Sequence, residues 1–105
     1  MHNSCKLQVA NFIALSGIKK SFGLDKAHSC FTAASPIDKE TLWFFASIGI
    51  PIYEVYGQAE SSGPHSVSRE SAWKIGYCGV PLPNSFTRIN DSNGEILCGG
   101  RHIFM

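Results

Sequence analysis

An α/β fold is predicted for this sequence, and three features carry the prediction. Short apolar runs with β-favouring residues alternate with helix-like segments through the first sixty residues. Glycine or proline marks the junctions between them. After Gly63 the pattern changes to short strands and turns. The expected architecture is a partial parallel sheet with flanking helices in 1–63, followed by the start of an antiparallel, β-rich part in 64–105.

The first element is a helix over about Leu7 to Phe22. Phe12 and Ile13 lie three and four residues after Val9, which suits one helical face. Gly17 weakens its middle, and Gly23 is placed to end it. His28 to Ala34 (HSCFTAA) reads as a strand running into a loop of small residues. Pro36 punctuates, and Asp38 is an N-cap for the next helix, DKETLWFFASIG. Glu40 suits the positive end of that helix's dipole. Leu42, Phe45 and Ala46 are expected to face inward, and Trp43 and Phe44 are expected in the core. Gly49 and Pro51 stop the helix. Pro51 to Val55 (PIYEV) reads as a buried strand leading to a loop at Tyr56.

Beyond Gly63, the positions of Gly76, Gly79, Pro81 and Pro83 leave no room for a long helix. Ser85–Asn90 and Glu95–Gly99 read as strands. Asn93-Gly94 between them is a hairpin signal, because both residues tolerate positive φ. His102 to Met105 starts a further strand, and its apolar end suggests a fragment.

Bulk properties narrow the function classes. The chain has 105 residues, 44% of them hydrophobic and 16% charged. That apolar content argues against disorder. A formal charge of +1 carries no signature of nucleic-acid binding. Cys5, Cys30, Cys78 and Cys98 form no CxxC pair and read as reduced, mostly packing thiols. His2, His28, His65 and His102 are scattered, which argues against a zinc site. Gln8 to Ser16 is too short to span a bilayer and lacks the flanks of a secretory signal.

Ligands in α/β sheets gather beyond the carboxyl ends of the strands. Two loops have that placement, Thr32–Pro36 and Tyr56–Gly63. The second, Tyr56-Gly57-Gln58-Ala59-Glu60-Ser61-Ser62-Gly63, has parts suited to a nucleotide. Glycine lets backbone approach a phosphate. Amides and the hydroxyls of Ser61 and Ser62 are able to bond phosphate oxygens. Glu60 is able to hold Mg²⁺, and Tyr56 to stack on a base. A polar Gly/Ser loop is also a common surface turn, so these residues alone leave both readings open.

YGQAE resembles the Tyr-Gly-x-(Thr/Ser)-Glu motif of the adenylate-forming superfamily. The longer run YGQAESSGPHSVS is similar to its bubblegum-type long-chain acyl-CoA synthetases. Upstream, FTAASPIDKETLWFF resembles the superfamily's Ser-Gly-Ala-Ala-Pro-Leu loop and following helix. Downstream, GEILCGGRHIFM resembles the Gly-Glu-(Leu/Ile) segment with a bubblegum-like ending. The resemblance covers roughly Phe22 to Met105, with the three motifs in the family's order.

The resemblance implies a partial adenylation domain and a two-step ligase. A long-chain fatty acid attacks the α-phosphate of ATP, and coenzyme A then displaces AMP. Such chemistry rests on positioning and charge neutralisation. It implies that Ala33, Ala34 and Ser35 line the adenine pocket and that Tyr56 contacts the adenine face. Glu54, Val55 and Gly57 are the neighbouring cofactor-binding positions. Gln58 and Ala59 flank the α-phosphate. Glu60 binds Mg²⁺ and is the catalytic position. The implied setting is cytoplasmic, with peripheral attachment to the endoplasmic reticulum membrane left open, as is the oligomeric state.

Two departures stand out. The family has Gly where Ala33 stands, and Thr or Ser where Ala59 stands. The family's upstream phosphate loop, its later ribose-binding Asp and its C-terminal lid with the catalytic Lys are absent from these residues. The chain by itself is therefore expected to be inactive. Two alternatives stay open: a ligase for another carboxylic acid, and a non-catalytic chain that binds nucleotide weakly or pairs with a full-length homologue. His65 is either a supporting residue or a plain loop histidine, and Arg101 and His102 have no assigned role.

Overall fold

A computed structural model describes residues 2–104. Met105 and the side chain of His2, on which expectations above also fell, lie outside the described residues. The order of elements is α1 (His2–Ser21), β1 (Cys30–Thr32), α2 (Lys39–Ser47), β2 (Ile52–Gln58), β3 (Gly63–Val67), β4 (Val80–Pro81), β5 (Ser85–Ile89) and β6 (Ile96–Gly100). Short 3₁₀ turns at Ala59–Ser61 and Glu70–Ala72 flank β3.

Both helices end as the glycines dictate. Gly23 has φ +71° and Gly49 φ +76°, a region open to glycine at low cost. Leu24 N donates to Lys19 O at 2.8 Å and Gly23 N to Lys20 O at 3.0 Å. Ile50 N donates to Phe45 O at 2.9 Å and Gly49 N to Ala46 O at 3.0 Å. Each pair is a Schellman closure. Asp38 has the extended backbone of an N-cap, but its side chain makes no capping bond.

The sheet is mixed, in the order β1-β2-β3-β4. The parallel expectation holds for β1 and β2, which pair from Cys30↔Ile52 to Thr32↔Glu54 with α2 as the crossover. β3 then returns antiparallel to β2. The reason is the short connection: residues 59–62 are enough for a reversal but far too few for a parallel crossover. β4 continues the antiparallel part through Ser66↔Pro81 and Val67↔Val80. The sheet thus runs through the junction between 63 and 64.

β5 and β6 form a separate hairpin, from Ser85↔Gly100 to Ile89↔Ile96. Its turn is wider than a two-residue Asn-Gly loop. Gly94 N donates to Asn90 O and Asn90 N to Glu95 O, both at 2.8 Å, with Gly94 at φ +73°. Asn90 Oδ1 accepts from Ser92 N at 3.1 Å, an Asx turn that competes with the tighter form. Residues 101–104 form a turn and irregular chain rather than the strand expected there.

The apolar core is thin. Leu42 (1% exposed) and Ile50 (4%) are the buried apolar side chains among the described residues. Phe45 and Ala46 are half-buried beside them. Trp43 is 63% exposed and Phe44 also lies outside, contrary to the core expectation. On a nine-residue helix the face opposite Leu42 has no neighbour to cover it. The same holds for α1, which stays helical through Gly17, with Phe12 74% exposed and Ile13 exposed beside it. Its carboxyl end meets the body, where Phe22, just past the helix, packs against Phe45 with ring centroids 6.1 Å apart. Cys5 and Cys78 are exposed rather than packed, and the four thiols are free. The projecting helix gives a radius of gyration of 17.8 Å, against about 13 Å for a compact chain of this length. No described helix is long and apolar enough to cross a membrane.

Candidate functional site

β1 and β2 run side by side, so their carboxyl ends open on the same edge of the sheet. A cavity of about 470 Å³ lies there, within the range of small-molecule sites. Ala33, Ala34 and Ser35 line it from the loop after β1, and Glu54, Val55, Tyr56 and Gly57 from β2. Seven of the ten residues singled out in the sequence therefore meet at one place. Gln58, the last residue of β2, and Ala59 and Glu60, on the adjoining turn, lie outside the cavity wall, and all three are exposed. A second cavity of about 300 Å³, lined by Asp25, His28 and Pro51 among others, lies toward the amino ends of the same strands.

The segment expected as a loop from Tyr56 is strand as far as Gln58. A register shift between Tyr56 and Gly57 bends β2 there. A Cβ on Gly57 would collide with the Gly63 carbonyl and lie 2.9 Å from Pro64 Cα. Glycine is therefore required for the two backbones to approach. Ser62 follows the turn at φ +57°. Ser61 is buried and braces the turn: its Oγ accepts from Gln58 N at 3.1 Å and donates to Gly63 O at 2.6 Å or Gln58 O at 2.9 Å. Ser62 Oγ donates to His102 O at 2.8 Å. Both hydroxyls are thus engaged with backbone and are not presented to a phosphate.

In the Ala33-Ala34-Ser35 loop the unusual backbone falls on Ala34, with φ +75°, one residue beyond Ala33. A left-handed alanine costs roughly 1–2 kcal/mol. Such strain persists where the surroundings impose it, and it clusters at ligand loops. Ala34→Gly is expected to raise the unfolding free energy by about 0.5–1 kcal/mol, after allowing for glycine's freer unfolded chain. Urea melts of the two proteins measure the difference.

The other cavity walls were not legible locally. Lys39 enters from the first turn of α2, and Gly76 and Cys78 from the segment before β4. Pairing of β4 with β3 brings that segment in, and Ser68 Oγ fixes it by donating to Tyr77 O at 2.9 Å. Glu54 Oε2 accepts from Gly76 N at 2.9 Å, closing the wall from the other side. Trp73 does not line the cavity; its Nε1 donates to Ile52 O at 2.9 Å. Tyr77 is exposed, with Lys74 Nζ 4.3 Å from its ring centroid.

Two cavity residues titrate above their ordinary values. Burial raises the Tyr56 hydroxyl above 10.0, with smaller contributions from the nearby Cys98 and Cys78 thiols. Partial desolvation against the cavity wall raises the thiol of Cys78, an otherwise exposed residue, above 9.0, and the nearby Glu54 carboxylate adds to this. Above pH 9.0 the unfolded chain loses the Cys78 proton while the folded chain keeps it, so the unfolded state binds fewer protons and stability falls as pH rises. Tyr56 repeats the effect above 10.0. The contribution is complete below the ordinary values and lost as pH climbs through the raised ones. Cys78→Ala is expected to flatten part of that alkaline fall in melts compared at pH ~8 and ~10.5.

Comparison with known proteins accords with this geometry. The family model described as AMP-binding enzyme matches residues 5–105. Long-chain-fatty-acid--CoA ligase ACSBG2 of Xenopus laevis is 46% identical over 104 residues, covering 95% of this chain and 14% of the relative. The Homo sapiens protein of the same name is 41% identical over 102 residues, covering 93% and 15%. The chain thus spans about one seventh of the length of these relatives. The anthranilate CoA ligase AuaEII, solved with anthranoyl-AMP, superposes with a TM-score of 0.68 at 16% identity, covering 76% of this chain and 17% of that one. O-succinylbenzoate coenzyme A synthetase from Bacillus subtilis, solved with ATP and magnesium ion, gives 0.60 at 18% identity, covering 85% and 21%. At those identities the structures speak for the fold, while the family match and the sequence relatives span nearly the whole chain. The chain belongs to the AMP-binding enzyme family.

Proposed function

We propose that these residues form the adenine and metal wall of a long-chain fatty-acid–CoA ligase. The observation that carries this is the meeting of Ala33–Ser35 and Glu54–Gly57 in one cavity, in a chain 46% identical to a ligase of that name. Ala33, Ala34 and Ser35 supply small side chains and backbone against a flat base, and Tyr56 supplies a ring. Gln58 and Ala59 flank the α-phosphate on the adjoining turn. Glu60 is an exposed carboxylate, an oxygen donor of the kind that Mg²⁺ prefers. The donor fits the ion, and Glu60 is the residue that would hold it. When bound, the ion would neutralise charge on the phosphates of ATP as the fatty-acid carboxylate bonds the α-phosphorus and pyrophosphate leaves.

Fatty acid, ATP and coenzyme A are the substrates under this proposal. A cytoplasmic enzyme working at the surface of the endoplasmic reticulum belongs to it as well. One wall does not complete the reaction. The purified 105-residue chain, given palmitate, ATP, Mg²⁺ and coenzyme A, is expected to form no thioester while binding adenine nucleotide. Thioester formation dependent on ATP and coenzyme A would refute the single-wall assignment.

A further inference from the structure

His65 is fully buried. Its Nε2 lies 2.8 Å from Thr87 Oγ1 on β5, and its Nδ1 lies 3.1 Å from His102 Nε2. The two imidazoles have centroids 5.3 Å apart and planes 27° from parallel. His102 Nδ1 lies 3.5 Å from Ser85 Oγ. With both rings neutral, every contact has one donor and one acceptor, whichever direction the row of bonds runs. Burying imidazole without partners would be costly, so the row has a defined geometry rather than a merely tolerated one.

The backbone around His102 reaches the Glu60 turn twice. Ser62 Oγ donates to His102 O at 2.8 Å, and Phe104 N donates to Glu60 O at 3.0 Å. A closed circuit results. β3 carries His65, His65 holds the His102 ring, and the 102–104 segment holds the turn that leads into β3. What hydrogen bonds add is direction: they fix one orientation where apolar packing tolerates several.

We propose that His65 and His102 are positioning residues that set the Glu60 turn, and with it the metal-binding carboxylate, against the nucleotide cavity. The metal part rests on the function proposed above; the clasp itself does not. His65 acts only through His102, and the 102–104 segment acts through the Ser62 hydroxyl and the Glu60 carbonyl. Neither touches substrate in this account.

The test compares His102→Leu, which removes the ring–ring bond, with His102→Gln, whose terminal amide keeps a partner near the Nε2 position. Hydrogen exchange of the Phe104 amide reads the clasp without any ligand. His102→Leu is expected to lower its protection about fivefold to tenfold and to shift the amides of Ala59–Ser62, with His102→Gln close to the starting protein. Protection within twofold in His102→Leu would overturn the proposal. If that variant fails to fold, the imidazole ¹⁵N spectrum of the unaltered chain decides: a proton shared between His65 Nδ1 and His102 Nε2 supports the clasp, and two separately solvated rings overturn it. A second arm adds AMP, then Mn²⁺ with ATP. Mn²⁺ affinity is expected to fall about tenfold in His102→Leu and to recover in His102→Gln, with AMP affinity within twofold throughout. Unchanged Mn²⁺ affinity in His102→Leu beside normal AMP binding overturns the positioning role. Absence of AMP binding in the unaltered chain refutes the function proposed above instead, and Phe104 exchange still judges the clasp.

Discussion

Gly57→Ala is expected to destabilise the fold by about 3 kcal/mol or more and to abolish nucleotide binding. The added methyl would collide with the Gly63 carbonyl and press on Pro64 Cα, and both are backbone. Backbone cannot rotate aside as a side-chain tip can, so β2 and β3 must separate where they now pair, Gly57↔Pro64. That separation reaches Tyr56 and the turn together. Gly17→Ala is the matched control. A methyl on Gly17 meets nothing within 4 Å and lies inside α1, so the same substitution there stabilises by roughly 0.5–1 kcal/mol. Urea midpoints of the two variants should move in opposite directions.

Ala59→Thr should tighten binding of Mg·ATP by about ten- to a hundredfold. A hydroxyl bonded to a charged phosphate contributes about 1.5–3 kcal/mol, and each 1.4 kcal/mol is about tenfold. The site can accept the change because Ala59 is exposed at the start of the 3₁₀ turn, and its side chain braces nothing there. The serines that follow cannot compensate, since Ser61 is committed to Gln58 and Gly63, and Ser62 to His102. Ala59→Val separates hydroxyl from bulk: it adds similar volume and should give no gain. Isothermal calorimetry on the three proteins measures the difference.

Much of the fold was legible because its signals are local. Gly23 and Gly49 end helices by backbone conformation alone, and the turn between β5 and β6, with Gly94 at positive φ, follows from residues adjacent in sequence. The candidate site was legible where a motif leads out of a strand, as at Ala33–Ser35 and Glu54–Gly57. Illegible parts arrive through pairing across the sheet. Gly76 and Cys78 reach the cavity only because β4 pairs with β3, and no local pattern encodes that. Trp43 and Phe44 misled because apolar identity predicts burial only if a neighbour exists to cover the face, and α2 has one on a single side. His65 could not be separated from a loop histidine without His102, thirty-seven positions away.

AMP is expected to enter the cavity between the two strand-end loops, and a titration of the ¹⁵N-labelled 105-residue chain with AMP decides it. The expected result is saturable movement of the Ala33, Ala34, Ser35, Tyr56 and Gly57 amides at millimolar ligand or below, with α1 and the Asp25–His28 cavity unmoved. No movement at millimolar AMP, or movement confined to Asp25–His28, would contradict it.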